Sequence, residues 1–267
     1  MDFNEPHLPC FPCREIYDAG GYETLSVAPW GSFGDTFRNK PYMQRRQLKN
    51  WNAEDMNWSD WEKILRLEFA LMEQTDRAIG EVLDLLKEKG MMENTVVIFT
   101  ADHGDLCGSH RMVDKHYVLY DDIIRIPLIV MDGQGKKIEK GIVENIDFAP
   151  SVLNWAGISV PEEMQGRPLT QQGKEFAVST FNGQQFGLYT LRAITDGQDK
   201  YIFNASDVCE YYDLRTDPDE MENRIDDEEC RKRILFLKRK LYDILLDRGD
   251  KMVMNPWMKN RFLNDEV

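Results

Sequence analysis

An aspartate and a histidine stand side by side where a predicted strand ends. Residues 95–100 form a β-branched, apolar run with the length of a strand buried on both faces, and the run stops at Asp102-His103-Gly104. In open α/β sheets, ligands bind beyond the carboxyl ends of parallel strands, so this carboxylate and imidazole are placed to hold a metal ion or an anion. Taken alone, the tripeptide fits equally well a turn capped by Asp102.

More groups suited to the same chemistry follow in a polar loop before residues 126–131, which read as a second buried strand. The loop carries His110, Lys115 and His116. A divalent metal and a lysine would supply a positive field for the oxygens of a charged ester, and a histidine could give a proton to the departing alcohol. These residue types are therefore suited to holding a negatively charged ligand.

The elements around this stretch are predicted from periodicity. An amphipathic helix begins at Ser59 or Asp60 and ends at Gly90. Its apolar face consists of residues at helical spacing: Ile64, Leu67, Leu71, Ala78, Val82 and Leu86. Residues 142–147 read as a short strand, and residues 148–157 as a helix that tolerates Pro150 in its first turn.

The remaining segments alternate like antiparallel strands and end in a helix. Strands are predicted at residues 176–180, 189–195 and 200–204. A closing amphipathic helix carries Ile234, Leu237, Leu241 and Leu245. At the other end of the chain, three prolines within seven positions keep residues 1–22 in an extended loop.

The stretch from residue 95 to residue 130 resembles the sulfatase branch of the alkaline-phosphatase superfamily. That pattern runs from a strand through D-[NH]-G and a lysine-bearing loop to Y-E-x-x-x-R-x-P-L-I. Lys115, Arg125 and Pro127 match it, and Asp121 and Asp122 stand near its acidic pair. Residues 148–157 and 210–223 resemble later sulfatase motifs, so the resemblance covers the chain from about residue 7 to about residue 245.

The resemblance implies an α/β fold. The expected architecture is a partial alkaline-phosphatase-like α/β/α sandwich with a small C-terminal antiparallel sheet plus helix. Residues 1–172 would be the second part of the sulfatase catalytic α/β domain, and residues 173–267 a small C-terminal α+β subdomain.

The resemblance also assigns roles to individual residues. Asp102 and His103 would be metal ligands, and Lys115 would hold a sulfate oxygen. His7, in a P-H-x-P segment similar to the sulfatase one, would face the leaving group; without that pattern it would read as a surface histidine in a proline-rich arm. His110 is a weaker substrate-binding candidate, and His116 reads as a loop or supporting residue.

Calcium is the metal that the resemblance implies. Hard oxygen ligands favour calcium or magnesium, whereas the nitrogen of His103 by itself suits zinc or manganese better. The site is incomplete in this chain, because the other two carboxylate ligands of the family have no counterpart.

Cys10 is not expected to become a formylglycine. The letters Cys10, Pro12, Arg14 and Gly20 fit the C-x-P-x-R-x-x-x-x-x-G motif in which sulfatases generate that nucleophile. In the family, however, the motif precedes the P-H-x-P segment by a long stretch and carries a Thr or Ser type of residue where Ala19 stands.

The resemblance thus covers only the second part of a full sulfatase. The nucleophile motif and the first strands have no counterpart, so the isolated chain is predicted to be inactive. The missing strands would leave an unpaired sheet edge, which favours self-association or pairing with a separate N-terminal sulfatase chain. The expected substrate is a sulfated small molecule or carbohydrate.

Two other interpretations stay open. The first is a phosphodiesterase or phosphomonoesterase of the same superfamily, in which Asp102 and His103 bind zinc. The second is a truncated, non-catalytic fragment retained for its fold or as a partner.

Composition sets the outer bounds. The 267 residues carry a net charge of −14, which argues against a nucleic-acid partner. The sequence contains no run of 18 apolar residues, so no membrane span is predicted. The Met1 end does not resemble a signal peptide, and the chain is expected in the cytoplasm if Met1 is the true start. The five scattered cysteines fit reduced thiols better than a disulfide framework.

Overall fold

The computed structural model describes residues 1–264 apart from 134, 136, 137, 139, 172 and 184–187. The chain divides into two units that interleave along the sequence. The first comprises Met1–Gly34, Gln47–Lys115 and Arg125–Lys137, and the second comprises Asp35–Arg46, His116–Ile124 and Ile138–Val267. The predicted division after residue 172 falls at a position outside the described residues and stays a prediction.

A long helix is the main element of the first unit. This helix, α3, spans Trp58–Glu88. The Asn57 side chain accepts a hydrogen bond from the Ser59 amide, and the Asp60 side chain accepts one from the Asn57 amide, which completes a capping box. The predicted helix is confirmed, but Asn57 rather than Ser59 or Asp60 is its cap. Gly90 follows its end at φ +65°, as predicted.

The buried face of α3 differs from the predicted one. The fully buried side chains are Trp61, Leu65, Glu68, Ala70 and Leu71. Of the six residues predicted for this face only Leu71 is among them, and the others are half-buried. Trp61, Leu65, Glu68 and Leu71 are themselves at helical spacing, on a face next to the predicted one. All the buried residues lie in the first half of the helix, where the loop at Gly108 contacts Trp61.

Two short antiparallel strands carry the residues next to the predicted metal ligands. The strands are β1, Val97–Thr100, and β2, Leu128–Met131, with Val97 opposite Met131. The expectation of strands buried on both faces in a parallel arrangement is wrong. Among the described residues β1 and β2 pair only with each other, so Phe99 and Ile129 remain 41% and 57% exposed.

Shorter helices complete the N-terminal segments. Helix α1 spans Arg14–Ala19, so the extended loop predicted for residues 1–22 is interrupted by a helix. The prolines restrict only the residues up to Pro12, and the chain is free to form a helix after them. Helix α2 spans Tyr42–Asn50.

The second unit contains the predicted antiparallel sheet. Its strands pair in sequence order: β3 (Ala177–Gly183), β4 (Tyr189–Thr195), β5 (Asp199–Asn204) and β6 (Glu210–Asp213). The predicted closing helix is α6, Arg231–Asp247, and its four predicted core residues are buried. Their apolar surface forms one core with Ile194, Tyr201 and Phe203.

Further helices belong to this unit. They are α4 (Asp121–Ile124), α5 (Phe148–Trp155), α7 (Lys251–Met254) and α8 (Pro256–Leu263). In place of the strand predicted at residues 142–147, a 3-10 turn at Asn145–Asp147 leads into α5. The Lys174 ammonium lies 2.7 Å from the Glu144 carboxylate and 2.6 Å from the Asp147 carboxylate. Both carboxylates turn toward this one lysine, and the segment forms a turn instead of a hydrogen-bonded strand.

A buried ionic cluster joins segments of the second unit. The Lys200 ammonium is fully buried, 2.6 Å from Asp121 and 2.8 Å from Glu220. Burial raises the pKa of Glu220 to about 7 against the opposing effect of Lys200. Removing one member of such a cluster leaves a buried charge without a partner.

Among the residues that the structure describes, we find no helix with both the length and the apolar character of a membrane span.

Candidate active site

The loop between residues 101 and 115 folds back on itself. The Leu106 amide donates to the Asp114 carbonyl at 3.1 Å, and the Gly108 amide donates to the Met112 carbonyl at 3.0 Å. Gly108 has φ +88°, and a Cβ atom at this position would lie 2.9 Å from the indole of Trp61 on α3. Only glycine lets the loop lie so close to the helix in this backbone conformation.

Side chains from upstream in the first unit fasten the same loop. The Trp30 indole nitrogen donates to the Cys107 carbonyl at 2.8 Å. The hydroxyls of Ser32 and Ser109 share a buried hydrogen bond of 2.7 Å. This upstream segment thus supports the loop through Trp30 and Ser32.

Asp102 and His103 form a pair directly after β1. The His103 Nε2 atom lies 3.3 Å from Asp102 Oδ2, and the His103 amide donates to Asp102 Oδ1 at 2.9 Å. The His103 Nδ1 atom lies 2.8 Å from the Gly104 carbonyl. Since a carbonyl only accepts, Nδ1 carries the hydrogen.

This arrangement fits a metal ligand pair. A metal-bound histidine usually donates its other ring N–H to a carbonyl or carboxylate, which fixes the ring and directs the free lone pair at the ion. His103 shows that pattern, with Nε2 beside a carboxylate whose side chain is 85% exposed. The pair could also serve as the capped turn that the tripeptide alone suggests, because Asp102 does accept a backbone amide.

His7 and Lys115 meet although 108 residues separate them. The Lys115 ammonium lies 2.8 Å from His7 Nε2, and His7 Nδ1 lies 2.7 Å from the Leu8 carbonyl. The carbonyl again accepts, so Nδ1 carries the hydrogen and Nε2 accepts from Lys115. His7 is exposed, and the Lys115 side chain is 22% exposed, so a ligand in solution can reach both.

The other predicted histidines occupy less open positions. His110 is only 1% exposed and lies inside the loop with φ +49°, in the left-handed region. His116 is half-buried, with its ring centroid 6.1 Å from that of Tyr117. Of the predicted residues, the structure thus shows two directly contacting pairs, Asp102 with His103 and His7 with Lys115.

A cluster that the sequence analysis does not predict lies where the 101–115 loop meets Glu68 of α3. Ligand atoms of Glu68, Asp105 and Cys107 all fall within 4.8 Å of one another. The Cys10 thiol donates to Glu68 Oε1 at 3.6 Å, and the Cys107 thiol donates to Asp105 Oδ1 at 3.4 Å. The sequence does give one indication of Glu68. It lies three residues from both Leu65 and Leu71, which places it on the same face of the helix as these two buried leucines.

Burial is the largest cause of the raised pKa values in this cluster. It raises the pKa of the Cys10 thiol to about 12, and the nearby Glu68 carboxylate acts in the same direction. Burial also raises the pKa of Cys107 and of Glu68. Among the described residues no basic side chain pairs with the Glu68 carboxylate, whose partners are the two thiols.

Comparison with known proteins places these features in a family. The family model described as Sulfatase matches residues 4–158, and that described as N-sulphoglucosamine sulphohydrolase, C-terminal, matches residues 108–246. The uncharacterized sulfatase YidJ of Escherichia coli is 33% identical over 281 residues, which cover 97% of this chain and 54% of that protein.

Solved structures show the same fold. BT4656, solved in complex with its substrate D-glucosamine-2-N,6-O-disulfate, superposes with a TM-score of 0.80 at 20% identity, covering 93% of this chain and 65% of that one. The phosphonate monoester hydrolase SpPMH from Silicibacter pomeroyi superposes with a TM-score of 0.78 at 19% identity, covering 93% and 55%. These likenesses confirm the predicted alkaline-phosphatase-like α/β architecture.

The matches cover nearly all of this chain but only part of its relatives. The chain spans about half the length of the curated relatives it matches. More than half of the chain lies within the Sulfatase family model, and its C-terminal part matches the second family model. The chain belongs to the sulfatase family.

Proposed function

We propose that the chain supplies the metal-binding and sulfate-binding side of an active site that hydrolyses sulfuric esters. The observation that carries this proposal is the 2.8 Å contact between Lys115 and His7. A lysine that binds a sulfuryl oxygen and a histidine that faces the leaving group must be neighbours, because the two oxygens share one sulfur atom.

The hydrogen bonds of His7 suggest how the pair would act. In the absence of ester, Nε2 accepts from Lys115 while Nδ1 is held by the Leu8 carbonyl. A sulfuryl oxygen that takes the place of Nε2 as the acceptor for Lys115 would free Nε2 to carry a proton. That proton would pass from Nε2 to the oxygen of the departing alcohol, while Nδ1 keeps its hydrogen and the ring its orientation.

Asp102 and His103 would hold a divalent cation, and we propose calcium. A bound cation would stabilise negative charge on the sulfuryl oxygens. The hydrogen bond from His103 Nδ1 to Gly104 supports the ligand role, because it leaves Nε2 available beside the Asp102 carboxylate. The hard carboxylate oxygen supports calcium.

The chain by itself would not hydrolyse the ester. No residue in it has been assigned as nucleophile, and Cys10 is 8% exposed with its thiol bonded to Glu68. We propose that the nucleophile and the remaining carboxylate ligands come from the part of the family fold that this sequence does not span. The coverage of about half of each curated relative supports this division.

The exposed side of β1 and β2 would be covered by that other part of the fold. Among the described residues these strands have no further strand partner, and Phe99, Ile129 and Met131 stay at least 40% exposed. Apolar side chains on an open strand pair favour association with another sheet segment. The partner would be a sulfatase N-terminal segment on the same or a separate polypeptide, with self-association as the competing outcome.

A sulfated carbohydrate is the substrate class that we propose. BT4656, of the same fold, was solved with a sulfated glucosamine as its substrate. An aryl sulfate is a suitable general probe, because the proposed contacts are to the sulfate group and to the leaving oxygen rather than to a sugar.

Complementation tests this proposal. The chain is co-expressed with the N-terminal half of the Escherichia coli relative, and aryl sulfate hydrolysis is measured. We expect activity that requires both halves and that falls by at least about 100-fold in His7→Ala and Lys115→Ala, the scale of a lost proton donor or a lost charge contact. Lys89→Ala, which removes an exposed lysine after α3, is the matched control.

Two results would overturn the proposal. One is the absence of aryl sulfate hydrolysis from the combined halves although they copurify. The other is recovered hydrolysis that the His7 and Lys115 substitutions leave within a few-fold of the Lys89→Ala control.

A phosphonate or phosphate ester hydrolase is the second candidate. The nitrogen ligand of His103 favours zinc more than calcium, and the fold of SpPMH is similar. Metal analysis of the complemented protein and of its His103→Ala variant, with parallel assays of aryl sulfate and aryl phosphonate, separates the two. Zinc bound through His103 together with faster phosphonate cleavage would favour this second candidate.

A further inference from the structure

The cluster on the buried side of α3 combines sulfur and oxygen donors. Two thiols, of Cys10 and Cys107, and two carboxylates, of Glu68 and Asp105, come from three separated stretches of the first unit. Glu68 is central, because its carboxylate interacts with both thiols. It is only 6% exposed.

The partners of Glu68 are poor ones for a buried carboxylate. Thiols are weak hydrogen-bond donors, and Asp105 adds a second negative charge nearby. Among the described residues no lysine, arginine or histidine pairs with Glu68. A buried carboxylate without a counter-charge is costly, and coordination of a metal ion removes that cost.

We propose that Cys10, Glu68, Asp105 and Cys107 form a binding site for a zinc-type divalent cation. Two sulfur and two carboxylate oxygen donors suit zinc, a borderline-soft ion, and suit calcium poorly. The bound cation would tie the segment around Cys10 and the loop around Cys107 to α3. The proposal is independent of the sulfate chemistry proposed above.

The distances fit such a site. Zinc bonds of about 2.0–2.3 Å in a tetrahedron place neighbouring ligand atoms roughly 3.3–3.8 Å apart. The Cys10–Glu68 and Cys107–Asp105 contacts, 3.6 Å and 3.4 Å, lie in this interval. Ligand atoms of Glu68, Asp105 and Cys107 already lie within 4.8 Å of one another. Cys10 lies outside that set and adjoins it through its 3.6 Å contact with Glu68, so its side chain would turn toward the bound ion.

Cobalt(II) is the probe, since thiolate ligation of cobalt gives a charge-transfer absorption in the near ultraviolet. The whole chain is reduced, freed of metal with a chelator and titrated with Co²⁺. We expect one equivalent to produce the thiolate band, and added Zn²⁺ to remove it. Excess Ca²⁺ should leave it unchanged, because Ca²⁺ prefers oxygen ligands.

Variants locate the site. Cys107→Ser and Cys10→Ser should each weaken Co²⁺ binding by at least about tenfold, the lower bound seen for changes around metal ligands. Glu68→Gln, which keeps the side-chain size, should weaken it comparably. Cys13→Ser is the control, because Cys13 is an exposed thiol three residues from Cys10 that bonds to Glu15. Far-ultraviolet circular dichroism verifies that each variant is folded.

The proposal fails if the wild-type chain gives no thiolate band, or if Ca²⁺ displaces the cobalt. It also fails if the folded Cys10→Ser, Cys107→Ser and Glu68→Gln variants bind Co²⁺ as tightly as the Cys13→Ser control.

Discussion

Lys115 donates a 2.8 Å hydrogen bond to His7 across a sequence separation of 108 residues. His7 lies in a proline-rich arm, and Lys115 lies at the end of a loop fastened to α3 through Gly108. The contact joins a group that can carry a proton to a group that carries a fixed positive charge. A charged ester bound by this pair would contact both groups at once.

Substituting either member of this pair should change stability only modestly. His7→Gln should alter the free energy of unfolding by no more than about 0.5 kcal/mol, because His7 is exposed. Lys115→Met should cost about 1 kcal/mol, because it also breaks the 3.5 Å ion pair with the buried Asp114. Urea denaturation measures this. A loss above about 2 kcal/mol in either variant would mean that the contact is structural.

Gly108→Ala should destabilise the chain by at least about 2 kcal/mol. The new Cβ atom would lie 2.9 Å from Trp61, and φ +88° is unfavourable for alanine. Gly90→Ala is the matched control, since Gly90 has φ +65° with no atom within 4 Å, and it should cost only about 1 kcal/mol. Equal losses in urea denaturation would show that the loop does not depend on close packing against Trp61.

Lys200→Met should be strongly destabilising. It removes the buried ammonium that pairs with Asp121 and Glu220 and leaves their carboxylates uncompensated, which costs about 3 kcal/mol or more. The control is Lys63→Met, which breaks an exposed pair with Asp60 and should cost less than about 1 kcal/mol. A similar unfolding midpoint for the two variants would contradict the assigned importance of the cluster.

Glu220 should make stability fall as the pH rises. Its pKa is about 7 in the folded chain against a usual 4.5, so between these values the folded chain keeps a proton that the unfolded chain has released. The contribution is full below about pH 4.5 and is lost as the pH rises through 7. Over that range it amounts to about 3 kcal/mol.

Glu220→Gln isolates that contribution. The unfolding free energy of the variant should lose the decline seen between about pH 5 and pH 7, whereas Glu162→Gln, which changes an exposed glutamate, should retain it. Parallel pH profiles for the wild type and Glu220→Gln would rule out Glu220 as the source.

Local patterns in the sequence predicted the regular elements well. Strand β4 begins and ends where the alternation predicted, and α6 buries its four predicted residues, because in both cases one face packs on the core of the same unit. Patterns failed where polar contacts decide the conformation. The carboxylates of Glu144 and Asp147 pair with Lys174, and the predicted strand there is a 3-10 turn.

The residues of the two candidate sites also differ in what predicts them. No local pattern predicts the contact between His7 and Lys115, and only the family resemblance assigns the two residues to one site. Glu68 belongs to none of the family motifs quoted above, Cys107 is not a motif position of the lysine-bearing loop, and Cys10 fits only the nucleophile motif that is not expected here. No sequence pattern therefore predicts that these residues meet. Their proximity depends on which face α3 buries, and helical period alone predicted a different one.

The most direct test of the central claim is an NMR titration of the chain with an aryl sulfate in the presence of Ca²⁺. The imidazole signals of His7, assigned with His7→Gln, should shift in a saturable manner. That shift should be lost in Lys115→Ala and kept in Lys89→Ala. His7 signals that stay unmoved by the ester, or that move equally with Lys115 removed, would contradict the claim that these two residues form one sulfate-binding site.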